Sequence, residues 1–344
     1  MKLSEFAKEC RDTWKEDRSG VPVVGLEHLE PGEVKLSVWD VDSENTFTKR
    51  FNKGQVLLGR RRVYLRKAVV APFDGICSGD ITVIEAIPGK ILPELLPFVI
   101  QNDAFFDYAE QGSAGSLSPR VKWEHLKDFE VNLPSIDEQK VLAEKLWAAY
   151  RLKESYKKLL AATDEMVKSR FIEMFGNPLT NSKLWPTATI SEAAPESPSI
   201  NPAQGKVWLL NLDMVESHTG KIVEKVYENS DDMLSVSAFD KGNVLYSKLR
   251  PYLNKVVVPD ENGYATTELI PLRPDPNRLT RVFFSALLRS EAFVSYANSI
   301  ATVTKMPRMP MNDLRNFRVI LPPIELQKEF ERIYNQADKS GLVN

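Results

Sequence analysis

Residues 51–67 read FNKGQVLLGRRRVYLRK, and residues 239–255 read FDKGNVLYSKLRPYLNK. The two stretches lie 188 positions apart, and the same offset aligns VNLPSIDEQK (131–140) with VILPPIELQK (319–328) without a gap. A match that keeps its register over about ninety residues indicates an internal duplication, in which each copy forms one structural unit. The sequence therefore predicts two similar domains that are related by a pseudo-two-fold axis, as the copies in a symmetric assembly often are.

A segment with helical periodicity lies between the two copies. No proline or glycine occurs from Ile136 to Phe175, and apolar or small residues recur at steps of four and three, which is the spacing of a coiled-coil seam. Such a helix would be about 60 Å long at 1.5 Å per residue. The predicted helix–helix seam consists of Leu142, Leu146, Ala149, Tyr156, Leu160 and Val167.

The same kind of helix begins again at Ile324 but is expected to run only to about Lys339. A helix this short covers only the part of the first seam nearest Phe175. Leu142, Leu146 and Ala149 would then be covered by a second copy of the chain, by a partner subunit or by the first domain, because an exposed apolar stripe usually marks an association site.

The fold class predicted for each copy is α/β (α+β), because strand-like and helix-like segments mix within it. Strand signals occur at 34–41 and 255–259, and helix signals occur around 91–111 and 279–299. The predicted organisation is a first domain at 1–134, a long spacer helix at 135–177, a second domain at 178–322 and a second, shortened spacer helix at 323–344.

Composition restricts the class of protein. No apolar run approaches the roughly 20 residues of a membrane span, and the polar start MKLSEFAKEC has no signal-peptide core, so a cytoplasmic location is expected. Cys10 and Cys77 have no metal-ligand spacing with the histidines, so neither a zinc site nor another cofactor is expected.

Positive charge is concentrated in the duplicated stretch, although the net charge of the chain is only −2. A basic cluster that returns in both copies favours contact with DNA phosphates over a strand edge protected from aggregation. The candidate DNA-contacting residues are Arg60, Arg61, Arg62, Lys67, Arg120 and Lys122 in the first copy and Lys248, Arg250, Lys255, Lys305 and Arg308 in the second.

These candidates divide by role. Arg62 and Arg250 occupy equivalent positions, which favours sequence-independent phosphate contacts, whereas Arg60 and Arg61 differ from their counterparts and are candidates for base-specific contacts. Arg120 and Arg308 lie in loops that either contact the DNA backbone or cap the next helix.

Motifs for catalysis are missing. Asn177-Pro178 lacks the second proline and the aromatic residue of an adenine methyltransferase tetrad, and no glycine-rich phosphate loop occurs. We therefore expect no enzymatic activity from this chain.

The order of the segments resembles a known family. A domain that ends in LPSIDEQK, a long helix that closes on FGNP (175–178) and a second domain that ends in LPPIELQK resemble the specificity subunit of type I DNA restriction-modification systems. GLEHLEPG (25–32) is also similar to that family.

The resemblance implies two target recognition domains that each contact one half of a bipartite DNA sequence, with antiparallel helices as the spacer. It implies double-stranded DNA, two modification (methyltransferase) subunits and restriction subunits as partners, and it leaves catalysis to those subunits. Two other functions remain open on the residues alone: a coiled-coil protein–protein scaffold that does not recognise DNA, and a self-contained DNA-modifying enzyme.

Overall fold

The computed structural model describes residues 1–199 and 204–341, which divide into two compact units, Met1–Tyr156 and Lys157–Asn344. Each unit thus includes part of the long helix. The domain bounds drawn from the sequence, in which this helix is a segment of its own, stay a prediction.

The first unit is built from eight strands and short helices. Its strands are β1 (Ala7–Cys10), β2 (Pro22–Val24), β3 (Asp40–Val41), β4 (Lys49–Phe51), β5 (Val56–Gly59), β6 (Ala68–Val70), β7 (Gly75–Cys77) and β8 (Ile81–Ala86). They form two sheets with the orders β1-β8-β5-β6 and β3-β2-β7-β4. Its helices are α1 (Leu3–Phe6), α2 (Leu96–Ile100), α3 (Asp103–Gln111), α4 (Trp123–Leu126) and the start of α5 (Ile136–Phe175).

The second unit repeats this plan. Its strands are β9 (Thr187–Thr189), β10 (Lys206–Leu210), β11 (Val226–Asn229), β12 (Val236–Phe239), β13 (Val244–Ser247), β14 (Val256–Val257), β15 (Gly263–Thr266), β16 (Leu269–Leu272) and β17 (Arg318–Ile320). The sheet orders are β11-β10-β15-β12, β14-β13-β16 and β17-β9. The helices are α6 (Ile190–Ala193), α7 (Arg281–Arg289), α8 (Glu291–Ile300), α9 (Met311–Asn316) and α10 (Ile324–Gly341).

Strand pairing follows the repeat that the sequence predicts. Leu57 pairs with Val83 between β5 and β8, and Leu245 pairs with Pro271 between β13 and β16, so both partners are displaced by the same 188 positions. The mixed α/β fold of each copy is confirmed, and the duplication extends to the register of the sheets.

One glycine in each unit allows a close approach between strands. A Cβ on Gly75 would lie 2.6 Å from the carbonyl oxygen of Pro22 and 2.7 Å from the ring of Phe51. A Cβ on Gly263, the equivalent residue, would lie 2.5 Å from a backbone oxygen and 2.8 Å from the ring of Phe239. Any side chain at either position would push β7 or β15 away from its parallel neighbour.

The observed elements differ from the predicted ones in the length of one strand and in a break within each predicted helix. Only Asp40–Val41 of the predicted 34–41 strand is a strand, and Lys35 forms an isolated bridge to Val70, because β-branched residues favour an extended chain but do not fix how far its pairing extends. Each predicted long helix is divided in two by a cap, since the side chains of Asn102 and Ser290 accept hydrogen bonds from backbone N–H groups of α3 and α8.

The long helix has the bounds that the sequence predicts. Ser135 and Glu138 form a reciprocal cap at its start, with the Ser135 hydroxyl 2.7 Å from the Glu138 carboxylate, and these hydrogen bonds lower the pKa of Glu138. The helix ends at Phe175, and Gly176, with a φ of 76°, is the left-handed residue that follows it.

The two ends of α5 pack against different cores. Ala143 is buried in the core of the first unit, with Leu146 against it, and Phe171 and Phe175 are buried in the core of the second. Exposed apolar side chains lie between these ends: Leu152, Tyr156, Leu159 and Met166.

The predicted seam therefore does not form one continuous buried face. Leu146 is half-buried against the first unit, whereas Leu142 is 40% exposed and Ala149 is exposed. Tyr156 is exposed, Leu160 is half-buried, and Val167 packs against the core of the second unit. The helix α10 covers the end of α5 nearest Phe175, since the ring of Phe330 lies 5.5 Å from the rings of Phe171 and Phe175.

A buried glutamine attaches the start of each of these two helices to its unit. The amide nitrogen of Gln139 donates to the carbonyls of Pro134 at 3.0 Å and Lys90 at 3.3 Å, and its amide oxygen accepts from the backbone of Leu92 at 3.0 Å. Gln327, the equivalent residue, makes the corresponding three bonds to Pro322, Arg278 and Thr280. The glutamine in LPSIDEQK and LPPIELQK is thus a structural residue.

We expect Gln327→Leu to lower the free energy of unfolding of the second unit by roughly 1–3 kcal/mol, because one buried N–H and two buried carbonyls lose their partner. Chemical denaturation of the full chain measures this change. Gln336→Leu, on an exposed position of the same helix, is the control and should have little effect. Equal stabilities of the two variants would contradict the structural role.

Candidate nucleic-acid interface

The basic stretch of the first copy forms a tight turn between β5 and β6. Arg62 has a left-handed backbone with a φ of 53°, and a 3₁₀ turn, Val63–Leu65, follows it. The backbone N–H of Arg62 donates to the carbonyl of Pro119 at 2.7 Å, which ties the turn to the loop before α4. We call residues 60–66 the first arginine turn.

The second copy has the same turn. Arg250 has a φ of 50°, a 3₁₀ turn, Pro251–Leu253, follows it, and its N–H donates to Pro307 at 2.7 Å. Tyr252 projects into solvent here, as its equivalent Tyr64 does in the first arginine turn. Residues 248–254 are the second arginine turn, and its backbone is thus a copy of the first.

A carboxylate holds the loop arginine beside each turn. Asp80 accepts two hydrogen bonds from Arg120, at 2.7 and 3.1 Å, and Glu268 accepts bonds from Arg308 at 3.0 and 3.1 Å. The hydrogen bond from Arg120 is the main cause that lowers the pKa of Asp80. Arg120 and Arg308 therefore already have ionic partners within the chain.

Sequence reasoning did not assign Asp80 and Glu268 to this site. The signal was present, because these two acids are 188 positions apart, as are Arg120 and Arg308. A carboxylate and an arginine that recur together at the repeat offset indicate a shared ion pair.

The remaining arginines of the turns differ in their partners. Arg61 donates to the hydroxyl of Ser118 at 3.0 Å and lies 3.7 Å from Asp80. Within residues 1–199 and 204–341, the guanidinium groups of Arg60, Arg62 and Arg250 make no hydrogen bond or ion pair. Arg62 is exposed, and Arg60 and Arg250 are half-buried. These three groups can therefore accept an external anion or acceptor without breaking a bond in the protein.

The candidate lysines divide in the same way. The ammonium of Lys67 donates to the carbonyl of Leu26 at 2.8 Å, and that of Lys255 donates to Leu212 at 2.6 Å, so both stabilise a 3₁₀ turn of their own unit. Burial lowers the pKa of Lys255. Lys122 and Lys305 are exposed on loops, and Lys248 is half-buried in the second arginine turn.

The structure thus brings Arg60, Arg61, Arg62 and Arg120 together in one unit, and Lys248, Arg250 and Arg308 in the other. Clustered cations with unused donors suit the phosphates of a nucleic acid. In the described part of the chain, no group of three His, Cys, Asp or Glu side chains could hold a metal ion. None of the helices in that part is both long and apolar enough to cross a membrane.

Comparison with characterised proteins gives relatives of one kind. The type I restriction enzyme EcoDI specificity subunit of Escherichia coli is 24% identical over 270 residues, which cover 66% of this chain and 60% of the relative. The MjaIX specificity subunit of Methanocaldococcus jannaschii is 20% identical over 275 residues, which cover 71% of this chain and 62% of the relative. The chain therefore matches less than two thirds of the length of these curated relatives, and no protein-family model matches it.

Solved structures show the same fold. The type I restriction-modification S subunit from M. genitalium aligns with a TM-score of 0.57 at 13% identity, over 99% of this chain and 89% of that one. A chain from a study of complex assembly and conformational transition in the type I R-M system aligns with a TM-score of 0.51 at 18% identity, over 98% and 90%.

The long helix, the duplicated α/β units and the relatives found by sequence together confirm the resemblance of this chain to the specificity subunits of type I restriction-modification systems.

Proposed function

We propose that this chain is a DNA-binding specificity subunit that recognises a bipartite sequence, with one half-site contacted by each unit. The observation that carries the proposal is the duplicated arginine turn. Arg62 and Arg250 have the same backbone conformation, the same backbone hydrogen bond and a guanidinium group without a partner among the described residues. Chemistry that is repeated in two units suits the DNA backbone, which is the same at every half-site.

The helix that joins the two units predicts base pairs in the middle of the target that the protein does not contact. The middle of α5 is exposed and packs against neither core. In the proposed function this stretch is a spacer that contacts no base. Two half-sites separated by base pairs that no side chain reaches are the expected target of such a chain.

The proposed partners are those of the family. Two modification subunits and the restriction subunits would supply methyl transfer and cleavage, and this chain would supply recognition without catalysis. Self-association through the exposed helix also stays a prediction.

Arg62→Gln and Arg250→Gln should each weaken binding of the full chain to every duplex by about the same factor, because each removes one phosphate contact. The slope of log K against log salt should become shallower by about one for each substitution and by about two for the double variant. Fluorescence anisotropy with duplexes of unrelated sequence, measured from low to moderate salt, gives both quantities.

Arg170→Gln is the matched control, since Arg170 is an exposed arginine on α5 that pairs with Glu173 one turn away. It should leave affinity and salt slope unchanged. If Arg62→Gln instead altered which half-site is preferred and left the salt slope unchanged, its role as a phosphate anchor would be wrong.

Binding and activity assays of the unsubstituted chain test the two other functions. A protein–protein scaffold would show no salt-dependent retention of duplex DNA by the unsubstituted chain. A self-contained enzyme would methylate or cleave DNA without added subunits, which a radiolabelled methyl-transfer assay and a plasmid cleavage assay would detect.

A further inference from the structure

A surface groove of about 620 Å³ lies beside the first arginine turn. Its lining includes Arg11, Asp12, Lys49, Arg60, Asp80 and Arg120, and we call it the arginine groove. All of these residues belong to the first unit. Phe47 and several threonines complete the wall, so the groove combines charged groups, hydroxyls and one aromatic edge.

Two of its cations form no ion pair with a carboxylate among the described residues, whereas the other two do. Arg120 is bound by Asp80, and Arg11 donates to Glu9 at 2.7 Å and to Glu124 at 3.4 Å. Lys49, in contrast, donates once, to the carbonyl of Ile81 at 2.8 Å, and an ammonium has two further N–H groups.

Arg60 has more unused capacity. It is half-buried, its Nε atom is buried without a partner, and its guanidinium makes no ion pair within residues 1–199 and 204–341. A buried donor without a partner costs free energy until a ligand supplies an acceptor. Arg60 and Lys49 are therefore the groups that a ligand in the groove would satisfy.

The acids in the lining decide what kind of ligand fits. A phosphate group only accepts hydrogen bonds and carries negative charge, so the carboxylate of Asp12 disfavours it, whereas Asp80 is already paired with Arg120. The edge of a base pair presents donors and acceptors side by side, and a groove with both kinds of group matches that pattern. The lining therefore favours a base edge over the sugar-phosphate backbone.

We propose that the arginine groove recognises the major-groove edge of one G·C pair in the half-site of the first unit. Arg60 and Lys49 donate to O6 and N7 of the guanine, and the Asp12 carboxylate accepts from the N4 amino group of the paired cytosine. This inference rests on the proposed function and adds to it the position and the chemistry of one base contact.

The second unit carries different residues at the equivalent places. Lys49 pairs with Cys77 and Ser237 pairs with Ala265 in the matching strands, which aligns Lys49 with Ser237. By the same repeat Arg60 corresponds to Lys248. Arg62 of the turn has an identical counterpart in Arg250, whereas Lys49 and Arg60 of the groove differ from Ser237 and Lys248, as expected if Arg62 contacts a phosphate and these two groove residues contact a base.

The test is selection of duplexes from a randomised pool by the full chain, followed by sequencing of the retained DNA. The unsubstituted chain should enrich a G·C pair at one position of one half-site. Arg60→Gln and Lys49→Ser, the latter taking the residue of the second unit, should each reduce that preference about tenfold or more at that position alone. Lys49→Arg keeps a donor and should retain the preference.

Two comparisons make the outcome decisive. Arg62→Gln should lower retention of all duplexes without changing the preferred base, and the thermal midpoint of every variant is measured to exclude unfolding. An unchanged preference in both Arg60→Gln and Lys49→Ser, or an equal loss at every position, overturns the groove assignment. A chain that retains DNA but enriches no sequence at all overturns the proposed function itself, and the groove assignment with it.

Discussion

Four residues inserted between Tyr156 and Lys157 should redirect the protein to a DNA target whose unread gap is about two base pairs longer. Four residues add about 6 Å to a helix, and consecutive base pairs are about 3.4 Å apart. The insertion point lies in the exposed middle of α5, so neither packed end is disturbed. Both half-sites should stay the same.

On the original target, the lengthened chain can contact only one of the two half-sites, and this sets the size of the loss in affinity. Affinity for that target should fall about 100-fold or more, toward the level of non-specific binding. Sequences selected from a randomised duplex pool by the full chain reveal the new gap directly.

The control for the insertion is a substitution without a change of length. Lys158→Ala, at an exposed position in the same stretch, should leave gap and affinity unchanged. An inserted chain that still selects the original gap would show that α5 does not set the spacing.

Phe330→Ala should destabilise the second unit by about 3–5 kcal/mol, the usual cost of removing a buried phenylalanine ring. Phe330 is 0% exposed and its ring packs against the rings of Phe171 and Phe175 of α5, so its loss leaves a cavity where α10 meets the long helix. Hydrogen exchange measured by mass spectrometry on the full chain reports the opening of each unit separately.

The repeat supplies a matched control for this change. Leu142 occupies the position equivalent to Phe330 and is 40% exposed, so Leu142→Ala should cost the first unit about 1 kcal/mol or less. Equal effects of the two substitutions would mean that α10 is not held by its aromatic contacts.

Part of the fold could be predicted from the sequence. The repeat predicted two similar domains, and the structure adds that their strand registers match and that Gly75 and Gly263 allow the same close approach in both. The bounds of α5 were also predictable, since Ser135 and Gly176 are local signals that need no tertiary contact.

The face of α5 that becomes buried was not predictable in the same way. Two stripes run side by side on this helix, one through Leu142 and Ala149 and one through Ala143 and Tyr150, with Leu146 next to both. Periodicity identifies an apolar stripe but does not reveal which neighbour will cover it. That choice depends on packing with distant residues, as the bond from the Tyr150 hydroxyl to Glu33 at 3.2 Å shows.

The candidate site shows the same limit. A basic run predicts a cationic surface, but the destination of each charge depends on acceptors elsewhere in the chain. Lys67 donates to the carbonyl of Leu26, and Arg120 donates to Asp80, whereas Arg62 has no such partner in the described part of the protein. Composition alone treats these three cations as equal.

The left-handed backbone at Arg62 and Arg250 has a consequence for protein engineering. Any residue with a Cβ is disfavoured in this conformation by about 1 kcal/mol, and glycine would relieve that strain. Both copies nevertheless carry arginine there. Selection for heat resistance alone would thus favour glycine at both turns. On the proposed phosphate contacts, the resulting chain would be more stable but would bind DNA more weakly.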